Sequence, residues 1–361
     1  MKLKVSIMKY PIYTPDISPY TASVRKALKD GWISSQGEFI EKASSKLQEV
    51  LNTPYVVLTN NGTSATHLLY LSLKYKYPEL KKIYVPNNVF VAVWNCALYE
   101  YPKDMIEVLE VDPNTLNMNV NEFYILGLQP NSAVVVVHNV GNVVNVPRLK
   151  RLRPDLIFVE DNCEAFLEKY EGKYTGTESL CAAVSFFANK TITSGEGGAF
   201  YTHDKDLYKF IYKICHHGMS GERYVYDVIG RNYRMTNIQA AMLYDQLNDI
   251  GTIIKQKRDI WDRYVKLFEG SPIQLATTGM WMVVIRIPGG NYDRFYKFML
   301  SHGIDTRPMF YEIQKHKHLA EFSSPNTIDQ LEYAMIPSSP SLTLADQTFI
   351  SGKIEQYIES I

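Results

Sequence analysis

Residues 133–161 read AVVVVHNVGNVVNVPRLKRLRPDLIFVED, two short apolar runs separated by a basic, helix-like stretch. The runs at 133–138 and 156–161 have the length and the continuous apolar character of strands that are buried on both faces. The stretch between them, at 146–153, reads as a helix. A strand, a helix and a second strand in this order predict a parallel β-α-β unit.

The same alternation extends outward along the first 240 residues. Five more short apolar runs predict strands, at 55–59, 82–86, 106–111, 181–186 and 198–202. Helical patterns follow the first two of them, at 64–73 and 89–99. We therefore expect an α/β fold whose large domain, residues 1–240, holds a mostly parallel seven-stranded sheet between helices.

The pattern changes after residue 236. Residues 238–268 form one long helical stretch with Lys and Arg on its polar face. A predicted strand at 281–287 is followed by Pro-Gly-Gly and a predicted helix at 292–302. This order predicts a smaller α+β domain over residues 241–361.

Composition excludes several classes of protein. The 361 residues carry 38 Lys+Arg and 38 Asp+Glu, and zero net charge argues against a general electrostatic affinity for nucleic acid or an anionic membrane. Apolar runs stay well below the roughly 18 residues of a membrane-spanning helix, and the first ten residues lack the apolar segment of a signal peptide. Four scattered cysteines, without metal-ligand spacing, favour free thiols in a reducing, cytoplasmic compartment and no metal site.

Four polar groups follow predicted strands or precede the long helix. They are Asn60-Asn61-Gly62-Thr63-Ser64, Glu160-Asp161, the segment 185–198 with Lys190 beside a Gly-rich turn, and the segment 230–236. Ligands of open α/β sheets bind at the carboxyl ends of the strands, so these groups are the candidates for chemistry. The chain has neither a P-loop nor a GxGxxG fingerprint, which argues against NAD-dependent sugar enzymes.

Each candidate has a structural alternative. Gly62, Thr63 and Ser64 could bind a phosphate at a helix N-terminus, or Thr63 or Ser64 could simply cap the helix. Asp161 could hold a protonated ring nitrogen through a charge-assisted hydrogen bond, or cap the next turn. Lys190 could be a desolvated amine that acts as nucleophile and base, whereas most lysines are solvated surface residues.

Taken in order, these residues resemble the DegT/DnrJ/EryC1/StrS family of nucleotide-sugar aminotransferases, which are pyridoxal phosphate enzymes of fold type I. The similarity runs from DGWISSQG at 30–37 to TRP at 306–308. Its most specific parts are the Ser185–Lys190–GEGG block and NYRMTNIQAA at 232–241. The amino-acid sequences of residues 160–166 and 189–193 are most similar to those of the perosamine and viosamine type of sugar 4-aminotransferase within the family.

The resemblance implies a role for each matching residue. Lys190 carries the cofactor as an internal aldimine and Asp161 faces its ring nitrogen, so these two are the catalytic residues. Phe90 stacks on the ring, Glu164 lies beside the ring hydroxyl, and Asn232 reaches the phosphate of the neighbouring subunit. The phosphate cup is formed by Gly62, Thr63, Ser64 and Ser185.

The resemblance also implies the reaction and the partners. L-Glutamate gives its amino group to C4 of a nucleotide-linked 4-keto-6-deoxyhexose, through pyridoxal and pyridoxamine phosphate, in a homodimer with shared sites. The candidates for sugar and nucleotide contacts are Trp32, Ser34, Arg231, Arg307, Tyr311 and His316. The nucleotide stays open among GDP, dTDP and UDP.

Other activities on the same fold remain as alternatives. They are a sugar 3-aminotransferase, a cofactor-binding regulator without catalysis, and a ketosugar 3-dehydratase. The dehydratases of the family have histidine in place of the cofactor lysine, so Lys190 favours an aminotransferase. The chain also departs from the perosamine type at His216-His217, Arg231 and Gln314, which leaves the sugar undecided.

Overall fold

The computed structural model describes residues 8–287, 289–323 and 328–361. The proline of the predicted Pro-Gly-Gly turn and most of the stretch tested for a signal peptide, residues 1–7, lie outside these ranges. So do residues 324–327. Within the described part of the chain, no helix is long and apolar enough to cross a membrane.

The first 248 residues contain eight α-helices in the described ranges. They are α1 Ala22–Asp30, α2 Glu38–Leu51, α3 Gly62–Lys76, α4 Ala92–Glu100, α5 Glu122–Leu126, α6 Val146–Leu152, α7 Lys205–Cys215 and α8 Asn237–Asn248. The strands of the same region are β1 Tyr55–Thr59, β2 Ile83–Pro86, β3 Ile106–Leu109, β4 Ala133–Val137, β5 Ile157–Asp161, β6 Lys169–Tyr170, β7 Lys173–Tyr174, β8 Ala182–Ser185 and β9 Gly198–Thr202.

Seven of these strands form one sheet in the order β1-β9-β8-β5-β4-β2-β3. Every neighbouring pair from β8 to β3 is parallel, and only β9 runs against its two neighbours. The predicted α/β class and the mostly parallel seven-stranded sheet are therefore confirmed. All seven predicted strands exist, with ends shifted by at most two residues.

Helices cover both faces of the sheet. Successive strand residues point to opposite sides, so apolar side chains of each strand pack against both layers of helices. On one face Val135 and Val159 pack in a core with residues of α3, α4 and α7. On the other face Val134 and Phe158 pack with residues of α5 and α6. Strand side chains buried on both faces explain the continuous apolar runs in the sequence.

The C-terminal part contains a second, four-stranded antiparallel sheet. Its strands are β10 Gln274–Leu275, β11 Val283–Arg286, β12 Arg307–Pro308 and β13 Tyr333–Ile336, in the order β10-β11-β13-β12. Its helices are α9 Ile250–Leu267, α10 Tyr292–Ser301 and α11 Leu344–Glu359. An antiparallel sheet with helices agrees with the expected α+β character of this region.

The prediction of one long helix at 238–268 is wrong in one respect, because the structure has two helices there. α8 ends at Asn248 and α9 begins at Ile250, and Asp249 between them has φ −117° and ψ 26°. The Tyr20 hydroxyl donates to the Asp249 carboxylate at 2.9 Å and holds the break. α8 packs on α1 and α2, whereas α9 packs on α11. The domain boundary at residue 240 stays a prediction, and these contacts favour Asp249 instead.

Candidate active site

A cleft of about 650 Å³ opens where the carboxyl ends of the central strands meet the C-terminal sheet. Its walls come from the segments that follow β1, β2, β5 and β8, from the residues just before β11, from β12 and the segment after it, and from β13. Ten of the predicted site residues line it: Gly62, Thr63, Phe90, Asp161, Glu164, Ser185, Lys190, Arg307, Tyr311 and His316. The structure thus brings together residues up to 254 positions apart, as strand-end placement predicts.

Five predicted residues lie outside the cleft wall within one chain: Trp32, Ser34, Ser64, Arg231 and Asn232. Trp32 lines a separate surface depression, where the Asn237 side chain donates to its carbonyl at 2.7 Å. The backbone N–H of Asn237 donates to the Ser34 carbonyl at 2.6 Å. These five residues do not line the cleft of their own chain, and their roles stay predictions, including that of Asn232 at the phosphate of the neighbouring subunit.

Lys190 lies in the turn that follows β8, with its side chain 12% exposed. Its Nζ is 3.8 Å from the Glu164 carboxylate and 4.1 Å from the centre of the Trp281 ring. The turn is held by its own backbone, since the Lys190 N–H donates to the Phe187 carbonyl at 2.9 Å. The surface alternative for Lys190 is wrong, because its side chain is nearly buried and lines the cleft.

The turn is also fixed from the side of α8. The Thr193 N–H donates to Oε1 of Gln246 at 2.9 Å, and Nε2 of the same side chain donates to the Thr193 carbonyl at 2.5 Å. Gln246 is 3% exposed, so both hydrogen bonds are shielded from water. A buried amide that satisfies both backbone groups of one residue restricts the turn that carries Lys190.

Asp161 ends β5 and is 5% exposed at the floor of the cleft. Oδ2 accepts from the Thr66 hydroxyl of α3 at 2.8 Å, and Oδ1 accepts from the Cys163 N–H at 3.1 Å. The second contact is the turn cap of the structural alternative, so Asp161 caps the turn and also lines the cleft. Each oxygen keeps lone pairs, and the carboxylate can accept a further charge-assisted bond from a ring nitrogen.

Glu164 lies three residues beyond β5 and is 6% exposed. Oε2 accepts from the Val140 N–H at 2.7 Å. Val140 has φ +50°, a left-handed conformation that is costly for a β-branched residue. Burial raises the pKa of Glu164 to about 7, although Lys190 opposes the shift. An acid of this pKa can exchange a proton with a neighbouring oxygen or amine near neutral pH.

The N-terminus of α3 forms the expected anion site. Asn61, rather than Thr63 or Ser64, caps the helix by accepting from the Ser64 N–H at 2.8 Å. The N–H groups of Gly62 and Thr63 have no acceptor within the helix and are available to a phosphate. A Cβ on Gly62 would lie 2.5 Å from the Cβ of Ser185, so only glycine allows this close approach of helix and strand end.

These residues together fit pyridoxal phosphate. The cleft offers an amine for the aldehyde, a carboxylate for the ring nitrogen, an acid for the ring hydroxyl and a helix N-terminus for the phosphate. Phe90, at the lip, is 54% exposed and meets the edge of Phe310 at 6.1 Å between ring centres. An aromatic face this exposed is free to stack on a planar ligand.

The sequence interpretation missed two contacts of Lys190. The Tyr13 hydroxyl donates to the Lys190 carbonyl at 3.2 Å, from 177 positions away. Trp281, predicted only as a strand residue, places its ring on the Lys190 amine and donates from Nε1 to the Asn189 carbonyl at 3.0 Å. No pattern in the neighbouring sequence predicts either contact, because each joins residues that are far apart along the chain.

The raised pKa of Glu164 leads to a prediction on stability. The unfolded carboxyl titrates near 4.5 and the folded one near 7, so the folded chain holds a proton that the unfolded chain has lost between these pH values. Stability from this group is complete below pH 4.5 and falls as pH rises through 7. In cofactor-free protein, we expect the free energy of unfolding, relative to Glu164→Gln, to fall by about 2 kcal/mol between pH 5.5 and 8.

Urea unfolding at several pH values measures this difference. The glutamine keeps an oxygen for the Val140 N–H, so it removes the titration without removing the hydrogen bond. Parallel stability curves for the two proteins across this pH range would show that Glu164 does not titrate there.

The chain is similar to known proteins over nearly its full length. The GDP-perosamine synthase of Escherichia coli O157:H7 is 32% identical over 97% of this chain and 99% of that protein. The GDP-perosamine synthase of Vibrio cholerae is 30% identical over 97% of this chain and 100% of that protein. The solved structure of Helicobacter pylori PseC, an aminotransferase involved in the biosynthesis of pseudoaminic acid, has the same fold, with a TM-score of 0.89 at 20% identity over 98% of this chain and 100% of that one.

The model of an aminotransferase family matches residues 17–355 of the chain. This match confirms the predicted class of enzyme, an aminotransferase, and with it the pyridoxal phosphate cofactor for which the cleft is suited. The chain belongs to the DegT/DnrJ/EryC1/StrS aminotransferase family.

Proposed function

We propose that the chain transfers the amino group of L-glutamate to C4 of a GDP-linked 4-keto-6-deoxyhexose and forms a sugar of the perosamine type. The observation that carries the proposal is the Lys190 amine in a cleft whose floor is the Asp161 carboxylate. The choice of sugar and nucleotide is supported by the two GDP-perosamine synthases, which are 32% and 30% identical. The test described below also decides whether the chain uses another nucleotide or a 3-keto sugar.

The protein's own groups divide the work of the reaction. When bound, pyridoxal phosphate supplies the carbonyl that takes up the amino group and the ring that accepts an electron pair. The free Lys190 amine removes the proton from Cα of the amino donor and later returns a proton to the sugar carbon. Asp161 keeps a proton on the ring nitrogen.

The remaining residues of the cleft bind and orient. The first turn of α3, with Gly62 and Thr63, binds the phosphate through backbone N–H groups. Phe90 would stack on one face of the ring and exclude water from it. Arg307, Tyr311 and His316 line the same cleft, and a cation and two polar rings suit an anionic, hydroxyl-rich nucleotide sugar.

Incubation with L-glutamate and a panel of keto sugars tests the proposal. The panel contains GDP-, dTDP- and UDP-linked 4-keto-6-deoxyhexoses and a 3-keto isomer, and mass spectrometry detects the amino product together with 2-oxoglutarate. We expect amination of the GDP-linked 4-keto sugar to exceed that of the other substrates. Amination of the 3-keto sugar alone would change the position of transfer, and no turnover would favour a cofactor-binding regulator.

We also propose a homodimer in which Asn232 acts in the partner's site. Support comes from the segment before Asn232, where five apolar side chains are exposed in one chain: Tyr224, Val225, Tyr226, Val228 and Ile229. An exposed apolar cluster of this size is typical of an interface. The Asn232 carbonyl already lies 3.4 Å from the Asn60 side chain, beside the phosphate cup.

Mixing two inactive variants distinguishes shared from separate sites. In a mixed dimer of Lys190→Ala and Asn232→Ala chains, shared sites leave one site with both residues intact, so activity should return. Separate sites would leave every site defective and the mixture inactive. The mass in solution provides an independent reading of the oligomer, and location in the cytoplasm stays a prediction.

A further inference from the structure

A lysine on α9 lies buried beneath the catalytic turn. Lys257 is 2% exposed, although the sequence interpretation placed the lysines of this helix on its polar face. Its Nζ donates to the Trp281 carbonyl at 2.8 Å and to the Ser338 carbonyl at 3.3 Å, and it stands 4.6 Å from the centre of the Tyr13 ring. Burial of an ammonium group costs free energy, which these contacts offset only in part.

The two aromatic residues that contact Lys257 are the same two that hold the catalytic turn. Trp281 rests its ring on the Lys190 amine and donates to the Asn189 carbonyl. Tyr13 donates its hydroxyl to the Lys190 carbonyl. We infer that Lys257 is a positioning residue, which fixes Tyr13 and Trp281 and through them the Lys190 amine; this inference rests on the catalytic role of Lys190 in the proposed function.

The charges around Lys257 agree with this role. Burial lowers the pKa of Lys257 to about 7, against the opposing effect of Glu168. Glu168 is itself engaged, since it accepts from the Met280 N–H at 2.5 Å and lies 3.8 Å from Arg258. Burial also raises the pKa of Tyr13, so the phenol is neutral and remains a donor to the Lys190 carbonyl. The Lys257 amine can donate its hydrogen bonds to the two carbonyls whether or not it is protonated, and its protonated form adds a cation–π contact with the Tyr13 ring.

The position of Lys257 explains why the turn needs it. Tyr13 comes from the N-terminal segment, Trp281 precedes β11 and Ser338 follows β13, so one ammonium joins three separate pieces of chain. A displacement of about 1 Å at a reacting amine is enough to cost about 10²-fold in rate.

Three variants of the full chain test the inference. Lys257→Met keeps an unbranched side chain up to the ε position and removes the amine, Tyr13→Phe removes one hydroxyl, and the double variant combines them. Lys255→Met is the matched control, because Lys255 lies on the same helix with 75% of its side chain exposed. The measurements are the pH titration of the visible absorbance of the cofactor–lysine adduct, amide hydrogen exchange of residues 187–191 without cofactor, and kcat and KM for glutamate.

We expect Lys257→Met to lower kcat about 10- to 100-fold, with KM for glutamate nearly unchanged. It should also shift the absorbance titration and speed exchange at Lys190. Tyr13→Phe should produce a smaller change of the same kind, and the double variant less than the product of the two. Lys255→Met should match the wild type in every measurement.

A folded Lys257→Met protein with wild-type absorbance titration, exchange and kcat would overturn the inference. If this variant does not fold, Tyr13→Phe decides alone, and unchanged absorbance and exchange in it would overturn the inference as well. Absorbance and exchange need no sugar substrate. Failure of every nucleotide sugar would therefore remove the proposed function without affecting the result for Lys257.

Discussion

Replacement of Lys190 by alanine is expected to abolish transamination, with a loss of at least about 10⁴-fold in kcat. The variant lacks both the amine that joins the cofactor and the base that moves the proton, and no other lysine lines the cleft in the described part of the chain. A coupled assay of 2-oxoglutarate and mass spectrometry of the sugar product measure the loss. The visible absorbance of the lysine-bound cofactor should disappear as well.

The same replacement should leave the fold intact. The turn is held by backbone contacts to Phe187 and Tyr13, which alanine keeps. The lost side chain leaves Glu164 without its nearby cation, and burial already favours the neutral form of that acid. Circular dichroism and a melting curve check this point, with Lys255→Ala as the exposed control. Full activity in folded Lys190→Ala protein would exclude the proposed role.

The central part of the site could be predicted because it depends on local pattern. Asp161 and Lys190 follow apolar runs, and Gly62 stands between such a run and a helix. Parallel strands present their carboxyl ends at one edge of the sheet, so residues at those ends meet whatever their separation along the chain. The family resemblance added the role of each residue, and the cleft contains all three.

Features that depend on distant contacts could not be predicted in this way. The apolar periodicity runs through Asp249 without interruption, and the break there comes from packing of α8 and α9 on different neighbours. Lys257 looks like any lysine of an amphipathic helix, yet tertiary structure buries it under Tyr13 and Trp281. A spacing rule describes one element and carries no information about the segment that covers it.

The predicted substrate residues fall into two groups. Arg307, Tyr311 and His316 line the cleft of their own chain. Trp32 and Arg231 do not reach it, and the sequence contains no pattern that distinguishes a residue of one subunit's site from a residue offered to the partner. The mixed-variant experiment on Asn232 therefore addresses a question that a single chain leaves open in principle.

Asp161→Asn is expected to lower kcat by about 10³-fold with little change in stability. Asparagine keeps the shape, can accept from the Cys163 N–H through Oδ1 and can donate to the Thr66 hydroxyl, so both contacts of Asp161 survive. The negative charge is lost, and with it the charge-assisted hydrogen bond that keeps a proton on the ring nitrogen. A 10³-fold loss corresponds to about 4 kcal/mol in the barrier, the scale of one such bond in a desolvated cleft.

Glu160→Gln is the matched control, because Glu160 precedes Asp161 on the same strand and its side chain points to the other face of the sheet. Its carboxylate accepts from Nε2 of His138 at 2.8 Å and from the Gly176 N–H at 2.8 Å, within the core. Loss of this buried charge should lower the free energy of unfolding by about 1–3 kcal/mol and leave kcat near the wild-type value. The two adjacent carboxylates would then have different roles: loss of the Asp161 charge lowers kcat, and loss of the Glu160 charge lowers the free energy of unfolding. Equal losses of kcat in both variants would mean that the charge of Asp161 has no specific role in the reaction.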